Sequence, residues 1–259
     1  MERFKGLNIN DDIATKLKGL FAVLMIGGML SFADSRQNNK LCKEVVIDIQ
    51  NGGEYKFVDE QTVKDILTER GRESFLDKKM GEIDLKYLEK KLKKDQFVKE
   101  AQLFKGLDGI VMVKVKQPVP IARVIKGFRS FYIDKEGNTF SFTRRFTAKV
   151  PIVTVDEGSP LFSNDSLRLT EEQEIYGLLN YVSEHEFFSK QLVQFDINKH
   201  GEIQLYPQIT KQVIAFGDVS NYKEKLKRLL IFYKRVLPVK GWNAYAKVNI
   251  QYKDQIICE

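Results

Sequence analysis

The sequence predicts an α+β protein with a single N-terminal transmembrane helix, a small β-α-α-β-β unit and a larger, mixed β-rich unit that contains two helices. Residues 19–33 form one uncharged apolar run, and most later segments alternate apolar and polar residues as half-buried strands do. Gln117-Pro118-Val119-Pro120 divides the rest, because proline removes a backbone donor and restricts the residue before it. The predicted units are therefore 42–116 and 117–259.

The apolar run LKGLFAVLMIGGMLSFA, residues 17–33, is predicted to be a membrane anchor. The uncharged part from Gly19 to Ala33 spans about 22 Å as a helix, against a hydrocarbon core of about 30 Å. Lys18 extends this reach, because its aliphatic stem lets the ammonium return to the headgroups. The residues predicted to form the anchor are Leu17, Lys18, Leu20, Phe21, Leu24, Ile26 and Leu30.

Two alternatives to the anchor stay open. One is a buried helix of a soluble protein, since the run is short for a membrane span. The other is a cleaved signal peptide, since Ser31-Phe32-Ala33 resembles a small-x-small cleavage site, although Asp11 and Asp12 do not fit a basic leader. Lys16 and Lys18 adjoin the run on its N-terminal side, which predicts a cytoplasmic tail at 1–16 and extracytoplasmic units after it.

The net charge indicates which classes of partner to expect, and the two cysteines indicate which thiol state to expect. The net charge is +7, which in a cytosolic protein would raise nucleic acid as a partner. Beyond a membrane the same excess favours anionic lipid or acidic protein segments, so membrane lipid and no nucleic acid are expected. Cys42 and Cys258 lie at the two ends of the predicted extracytoplasmic part, and free thiols are expected.

The smaller unit is predicted from two helix caps between alternating strands. Asp59 and Asp84 each precede an amphipathic segment, and Gly71 is expected to end the first helix. Five lysines form one face of the second helix, which is either a solvated face or a contact for headgroups or an acidic partner. The strands are Val45–Ile49, Val98–Leu103 and Ile110–Lys116; the buried leucines of the second helix are Leu85, Leu88 and Leu92, and the lysines are Lys86, Lys90, Lys91, Lys93 and Lys94.

This element order resembles a known family. Directly after a single anchor, the segments FVDEQTVKDIL, DLKYLEKKLKKDQFVKEAQL and VKVKQPVPIARV are similar to the POTRA domain of the FtsQ/DivIB family of bacterial cell division proteins. In the larger unit FYIDKEGNTF, FGDVSNYKEKLKRLLIFYKRVLP and VNIQY resemble the β domain of that family. The family closes on Asp-Leu-Arg-Tyr where this chain has Asn249, Ile250, Gln251 and Tyr252, so an ion pair of that Asp or Arg is absent.

The larger unit is predicted to start its first helix with a capping box of Thr170 and Gln173 and to stop its second before Pro238. The strands are expected at Ile121–Ile125, Arg129–Ile133, Thr139–Phe142, Val150–Val155, Gln191–Ile197, Glu202–Leu205, Val213–Phe216, Ala244–Tyr252 and Ile256–Cys258, and the helices from Thr170 and over Asn221–Val236.

The sequence gives no sign of catalysis. His185 and His200 are the only histidines, neither has partners at metal-ligand spacing, and no phosphate loop or nucleophile elbow occurs. No enzyme activity, cofactor or metal is expected.

The resemblance implies a bitopic inner-membrane scaffold at the division septum, with its C-terminal domains in the periplasm. Such a protein recruits FtsB-like and FtsL-like division proteins, which control septal peptidoglycan synthesis, and contacts other divisome membrane proteins through its POTRA domain. A POTRA-bearing adaptor of another cell-envelope complex, and an extracytoplasmic hydrolase, are the alternatives.

The partner site is predicted at the C-terminal edge of the larger unit. The last strand has no later strand to pair with, and Ile256 and Ile257 are uncharged although exposed edges are usually covered or charged. By the resemblance this edge binds an FtsB-like segment by strand addition. The alternative is that both isoleucines only close the sheet. The predicted site comprises Tyr252, Lys253, Asp254, Gln255, Ile256, Ile257, Cys258 and, in a turn, Lys199.

Overall fold

The computed structural model describes residues 16, 18–29, 38–51, 53–106, 108–163, 167 and 169–259, and the chain divides into two units. The smaller unit consists of Met1–Gln50, Asp59–Asp95 and Glu100–Lys116. The larger unit consists of Asn51–Val58, Gln96–Lys99 and Gln117–Glu259. The main division falls at Gln117, and two short segments that precede it belong to the larger unit.

The N-terminal apolar segment is helical over residues 18–29. Leu20, Phe21, Leu24 and Ile26 are exposed on this helix, each by more than half. The predicted anchor residues Leu17 and Leu30 lie outside the described residues, as does the end of the run at 31–33. Among the residues that are described, no helix has both the length and the apolar character needed to cross a membrane.

The smaller unit has the predicted β-α-α-β-β order. A three-stranded sheet in the order β1-β3-β2 pairs β1 with β3 in parallel and β2 with β3 antiparallel. Two helices lie beside it and bury the side chains of Val63, Leu67, Leu88 and Leu92. The elements are β1 (Glu44–Gln50), α1 (Glu60–Leu67), a 3₁₀ turn (Met80–Glu82), α2 (Leu85–Leu92), β2 (Glu100–Lys105) and β3 (Ile110–Lys116).

Both predicted aspartate caps are confirmed, but the end of α1 differs. The Asp59 carboxylate accepts from Thr62 N at 2.7 Å, and the Asp84 carboxylate accepts from Tyr87 N at 3.0 Å. Helix α1 ends at Leu67 and not at Gly71. The Thr68 hydroxyl donates to Lys64 O at 2.7 Å and accepts from Gly71 N at 3.1 Å, so a side chain forms the C-terminal cap one turn before the glycine.

The larger unit is built on a nine-stranded mixed sheet in the order β12-β11-β10-β9-β8-β7-β4-β5-β6. Its strands are β4 (Pro120–Lys126), β5 (Arg129–Asp134), β6 (Thr139–Ser141), β7 (Ile152–Val155), β8 (Leu192–Ile197), β9 (Ile203–Pro207), β10 (Val213–Gly217), β11 (Lys247–Asn249) and β12 (Ile257–Cys258). The helices are α3 (Thr170–Glu184), α4 (Phe188–Gln191), α5 (Tyr222–Ile231) and α6 (Leu237–Lys240), with a π-helical turn (Phe232–Val236) between the last two.

Helices α3 and α5 cover one face of this sheet and form its main core. Leu178 and Leu179 of α3 and Leu226 and Leu229 of α5 are almost fully buried there. These leucines therefore form the core-facing side of each helix.

Two details predicted for the helices of this unit are wrong, namely the cap at the start of α3 and the stop before Pro238. The carboxylate that closes the start of α3 belongs to Glu172, which accepts from Leu169 N at 3.0 Å, and Thr170 lies inside the helix. The second helix does not stop before Pro238. A wider π-helical turn precedes this proline, which occupies the second position of α6, where no intrahelical backbone donor is required.

An aromatic cluster lies against β5 and β6 of the larger unit. Phe57 is 1% exposed, and its ring lies 5.5 Å from Tyr132, 5.3 Å from Phe140 and 5.0 Å from Phe146 between centroids. The Phe97 ring stacks on Phe57 at 5.8 Å. These two phenylalanines explain why residues 51–58 and 96–99 belong to the larger unit.

Candidate functional site

The predicted partner site lies at one edge of the nine-stranded sheet. Among the residues that the structure describes, strand β12 stands at the end of the strand order and pairs with β11 alone, antiparallel, so that Val248 lies opposite Cys258. Glu259 and Lys247 exchange both backbone hydrogen bonds, at 3.0 and 3.1 Å. Because successive residues of an antiparallel strand direct their backbone groups to opposite sides, the N–H and C=O of Cys258 point away from β11.

The side chains of this edge alternate between the core and the surface. Ile256 and Cys258 are half-buried and pack against the main core, whereas Ile257 is 42% exposed. Burial raises the pKa of the Cys258 thiol, which keeps it in the neutral form, and the cysteine is free. Of the two predicted apolar contacts, Ile257 is the one whose side chain reaches solvent.

The loop from β11 to β12 is held by an arginine that the sequence analysis did not single out. Arg228 of α5 donates through Nη2 to Ile250 O at 2.9 Å and to Tyr252 O at 3.0 Å. The Asn249 carboxamide accepts from Gln251 N at 3.0 Å. Asn249 thus forms a local turn at the end of β11, and Arg228 of α5 holds the loop that follows it. In the sequence, the only indication of this contact is that Arg228 is a basic residue next to the buried Leu229.

The remaining loop residues are presented to solvent. Tyr252 is 50% exposed, and Lys253, Asp254 and Gln255 are exposed beside it. Asp254 has a φ of 60°, in the left-handed region, and forms the turn that reverses the chain into β12. The structure therefore brings seven of the predicted site residues together at one edge.

Lys199 is at the same end of the sheet as this loop but is not adjacent to it. It lies exposed in the turn between β8 and β9, which Gly201 N closes by donating to Asn198 O at 3.1 Å. Strand β9 is three positions from β12 in the strand order, or about 14 Å at the usual strand spacing.

The basic face of α2 is only partly available to a partner. Lys86, Lys90, Lys93 and Lys94 are exposed. Lys91 instead donates to the Glu69 carboxylate at 2.9 Å and to Leu67 O at 3.3 Å, next to the end of α1. The hydrogen bond and charge of Lys91 lower the pKa of Glu69. This lysine therefore has a structural role within the smaller unit.

The histidines have local structural surroundings. His185 Nδ1 accepts from Phe187 N at 3.1 Å and so connects α3 to α4, while His200 is exposed in the β8–β9 turn. Within the described part of the chain, no group of three or more His, Cys, Asp or Glu residues could hold a metal ion.

Two family models match the chain and between them span residues 40–116 and 119–259. Residues 119–259 match the model described as FtsQ/DivIB, C-terminal related. Residues 40–116 match the model of a POTRA-like domain. No curated protein matches the chain.

Proposed function

The chain belongs to the FtsQ/DivIB family, and we propose from this that it is a non-catalytic scaffold of bacterial cell division, anchored in the inner membrane. In this role its periplasmic units recruit FtsB-like and FtsL-like proteins and so influence septal peptidoglycan synthesis. The POTRA-like unit contacts other membrane proteins of the division complex.

The observation that carries the proposal is the open side of β12. The backbone N–H and C=O of Cys258 face away from β11, and β12 is the last strand in the sheet order. An uncovered strand of this kind is a template for an added strand, whose backbone supplies affinity while alternate side chains supply specificity. The exposed Ile257 and Tyr252 lie beside this template and offer apolar contacts.

The way in which the edge is held also supports strand addition. The two hydrogen bonds from Arg228 fix the loop before β12, and Ile256 and Cys258 secure the strand to the core. A strand that is already ordered loses little conformational entropy on binding, which favours affinity.

The proposed anchor is residues 17–33. Its support is the series of large apolar side chains exposed along residues 18–29. Reporter fusions at Glu259 test this topology: a phosphatase reporter is expected to be active there and a cytosolic fluorescent reporter dark. The reverse result contradicts the orientation, and recovery of a mature chain that starts at Asp34 favours the signal peptide.

The capture of an FtsB-like protein is tested with two substitutions at one position. Cys258→Pro removes the outward N–H but leaves the bonds between β12 and β11, since edge strands accept proline where the N–H faces solvent. Cys258→Ala also removes the thiol but keeps the N–H. Because a net backbone hydrogen bond is worth about 1 kcal/mol, Cys258→Pro should weaken capture at least about fivefold, and Cys258→Ala should bind like the wild type.

Equal affinity of the two variants for the FtsB-like protein contradicts strand addition at this edge. A melting temperature that falls only in Cys258→Pro indicates a damaged fold, and Ile257→Lys, which changes an exposed side chain, then serves as the second variant. The cellular role is tested by a fluorescent fusion of the full chain. Enrichment at the septum supports the division role, whereas an even distribution around the envelope favours the adaptor of another complex.

A further inference from the structure

Exposed apolar side chains lie at the end of the larger unit where β10 and β11 begin. They belong to the loop between β9 and β10 and to α6 with the loop that follows it. Ile209 is 71% exposed between β9 and β10, Val239 is 81% exposed in α6, and Trp242 is 44% exposed just after it. The loops are joined, because the Gln212 carboxamide donates to Trp242 O at 3.0 Å. We call the surface formed by Ile209, Lys211, Val239, Lys240 and Trp242 the tryptophan end.

This surface lies at the opposite end of the sheet from the loop between β11 and β12. Strands β10 and β11 are parallel, so both begin at the tryptophan end and run away from it. The loop that holds Tyr252 follows the far end of β11. A contact made by the tryptophan end therefore involves different side chains from those of the proposed strand addition site.

The charge around the tryptophan end has a single sign over a long stretch. From Lys225 to Lys253, with both included, there are eight lysines and arginines and no aspartate or glutamate. Lys211 is exposed on the loop between β9 and β10, and Lys240 is exposed at the end of α6. Lys234 and Arg235 are exposed on the π-helical turn before α6.

Acidic residues lie at the margin of this surface. Glu259 is at the edge of the sheet, where its backbone carbonyl accepts from Ala246 N at 2.7 Å. Glu184 and Glu186 are exposed near the end of α3. Phe187 follows them, and its ring lies 5.5 Å from Tyr233, which is in turn 6.2 Å from Trp242. Carboxylates therefore border the tryptophan end but are absent from its two loops.

We propose that the tryptophan end binds the surface of an anionic lipid bilayer. Exposed apolar side chains on projecting loops can enter the boundary between headgroups and acyl chains, where the amphipathic tryptophan ring is also favoured. Lysines beside them complement anionic headgroups. The proposal rests on the surface of the larger unit and does not depend on the division role.

The chain has one tryptophan, so its fluorescence reports on this surface directly. The full chain is reconstituted into vesicles of phosphatidylcholine with or without phosphatidylglycerol, containing lipids brominated on the acyl chains. In vesicles with phosphatidylglycerol, the emission of Trp242 should shift to shorter wavelength and be quenched by bromine. Salt at about 1 M, where the Debye length is about 3 Å, should reverse most of the effect.

Two double variants with the same net charge distinguish a contact made by the lysines of the tryptophan end from a general attraction of the basic protein to anionic lipid. Lys211→Gln with Lys240→Gln should lower the equilibrium constant for binding of the tryptophan end to the lipid surface about 25-fold, since each lysine near an anionic surface contributes about fivefold. Lys223→Gln with Lys227→Gln removes two exposed lysines of α5, away from the tryptophan end, and should leave quenching unchanged.

Absence of quenching by brominated lipid in the anionic vesicles overturns the proposal, and so does an equal loss in both double variants. Equal quenching in neutral vesicles overturns the role of the anionic headgroups. If lipid leaves Trp242 open to acrylamide and only an added protein shields it, the surface binds protein and the lipid proposal fails. Loss of FtsB-like capture with normal quenching would count against the division role alone.

Discussion

Substitution of Phe57 tests whether a residue from the POTRA-like part of the sequence stabilises the larger unit. The Phe57 ring is buried among five aromatic rings whose centroids lie 5.0–6.2 Å away. Truncation of a buried phenylalanine to alanine costs about 3–5 kcal/mol. With a urea dependence of about 2 kcal/mol per molar, Phe57→Ala should lower the unfolding midpoint of the larger unit by about 1.5–2.5 M.

The assay is urea unfolding followed by the fluorescence of Trp242, the single tryptophan, which lies in the larger unit. The matched control is Phe104→Ala, since Phe104 is 45% exposed on β2 of the smaller unit and should change stability by no more than about 0.5 kcal/mol. A Trp242 transition that is the same in Phe57→Ala and in the wild type would refute the assignment of residues 51–58 to the larger unit.

Two further substitutions test local contacts in the larger unit. Arg228→Gln should destabilise the unit by about 2 kcal/mol, because charge-assisted hydrogen bonds are lost, and should speed amide exchange in the loop around Tyr252; unchanged exchange there would contradict the role given to the arginine. The hydrogen bond from Lys225, with that from Ser220, lowers the pKa of Asp218, so its stabilising effect is present above the unfolded pKa of about 3.9 and is lost as pH falls through the folded value. Asp218→Asn should therefore lower the urea midpoint at pH 7 but not at about pH 2, and an equal loss at both values would contradict this linkage.

Local signals predicted much of the fold. The aspartates before α1 and α2 were identified because a cap depends on residues within one turn of it, and alternating apolar residues located most strands. The cap of α3 was assigned to Thr170 and Gln173, whereas the Glu172 carboxylate, one residue before Gln173, closes the start of the helix on Leu169 N. The continuation past Pro238 depends on a π-helical turn, for which the sequence has no simple signature.

The candidate site was only partly predictable because it depends on contacts distant in sequence. The C-terminal edge was predicted in part from the uncharged Ile256 and Ile257, and the strand order places β12 at the end of the sheet. The Arg228 contacts join α5 to residues 22 and 24 positions later, and no periodicity reveals them. The position of Lys199 depended on the strand order, which places two strands between β9 and β12.

Photocrosslinking in dividing cells shows whether the open side of β12 binds a division protein. A photoreactive phenylalanine analogue replaces Ile257 in the full chain, and in a matched control it replaces Val193, a 39% exposed residue of the interior strand β8. We expect an adduct with an FtsB-like protein from position 257 and none from position 193. An adduct with a different envelope protein at position 257, or an FtsB-like adduct only at position 193, would contradict this expectation.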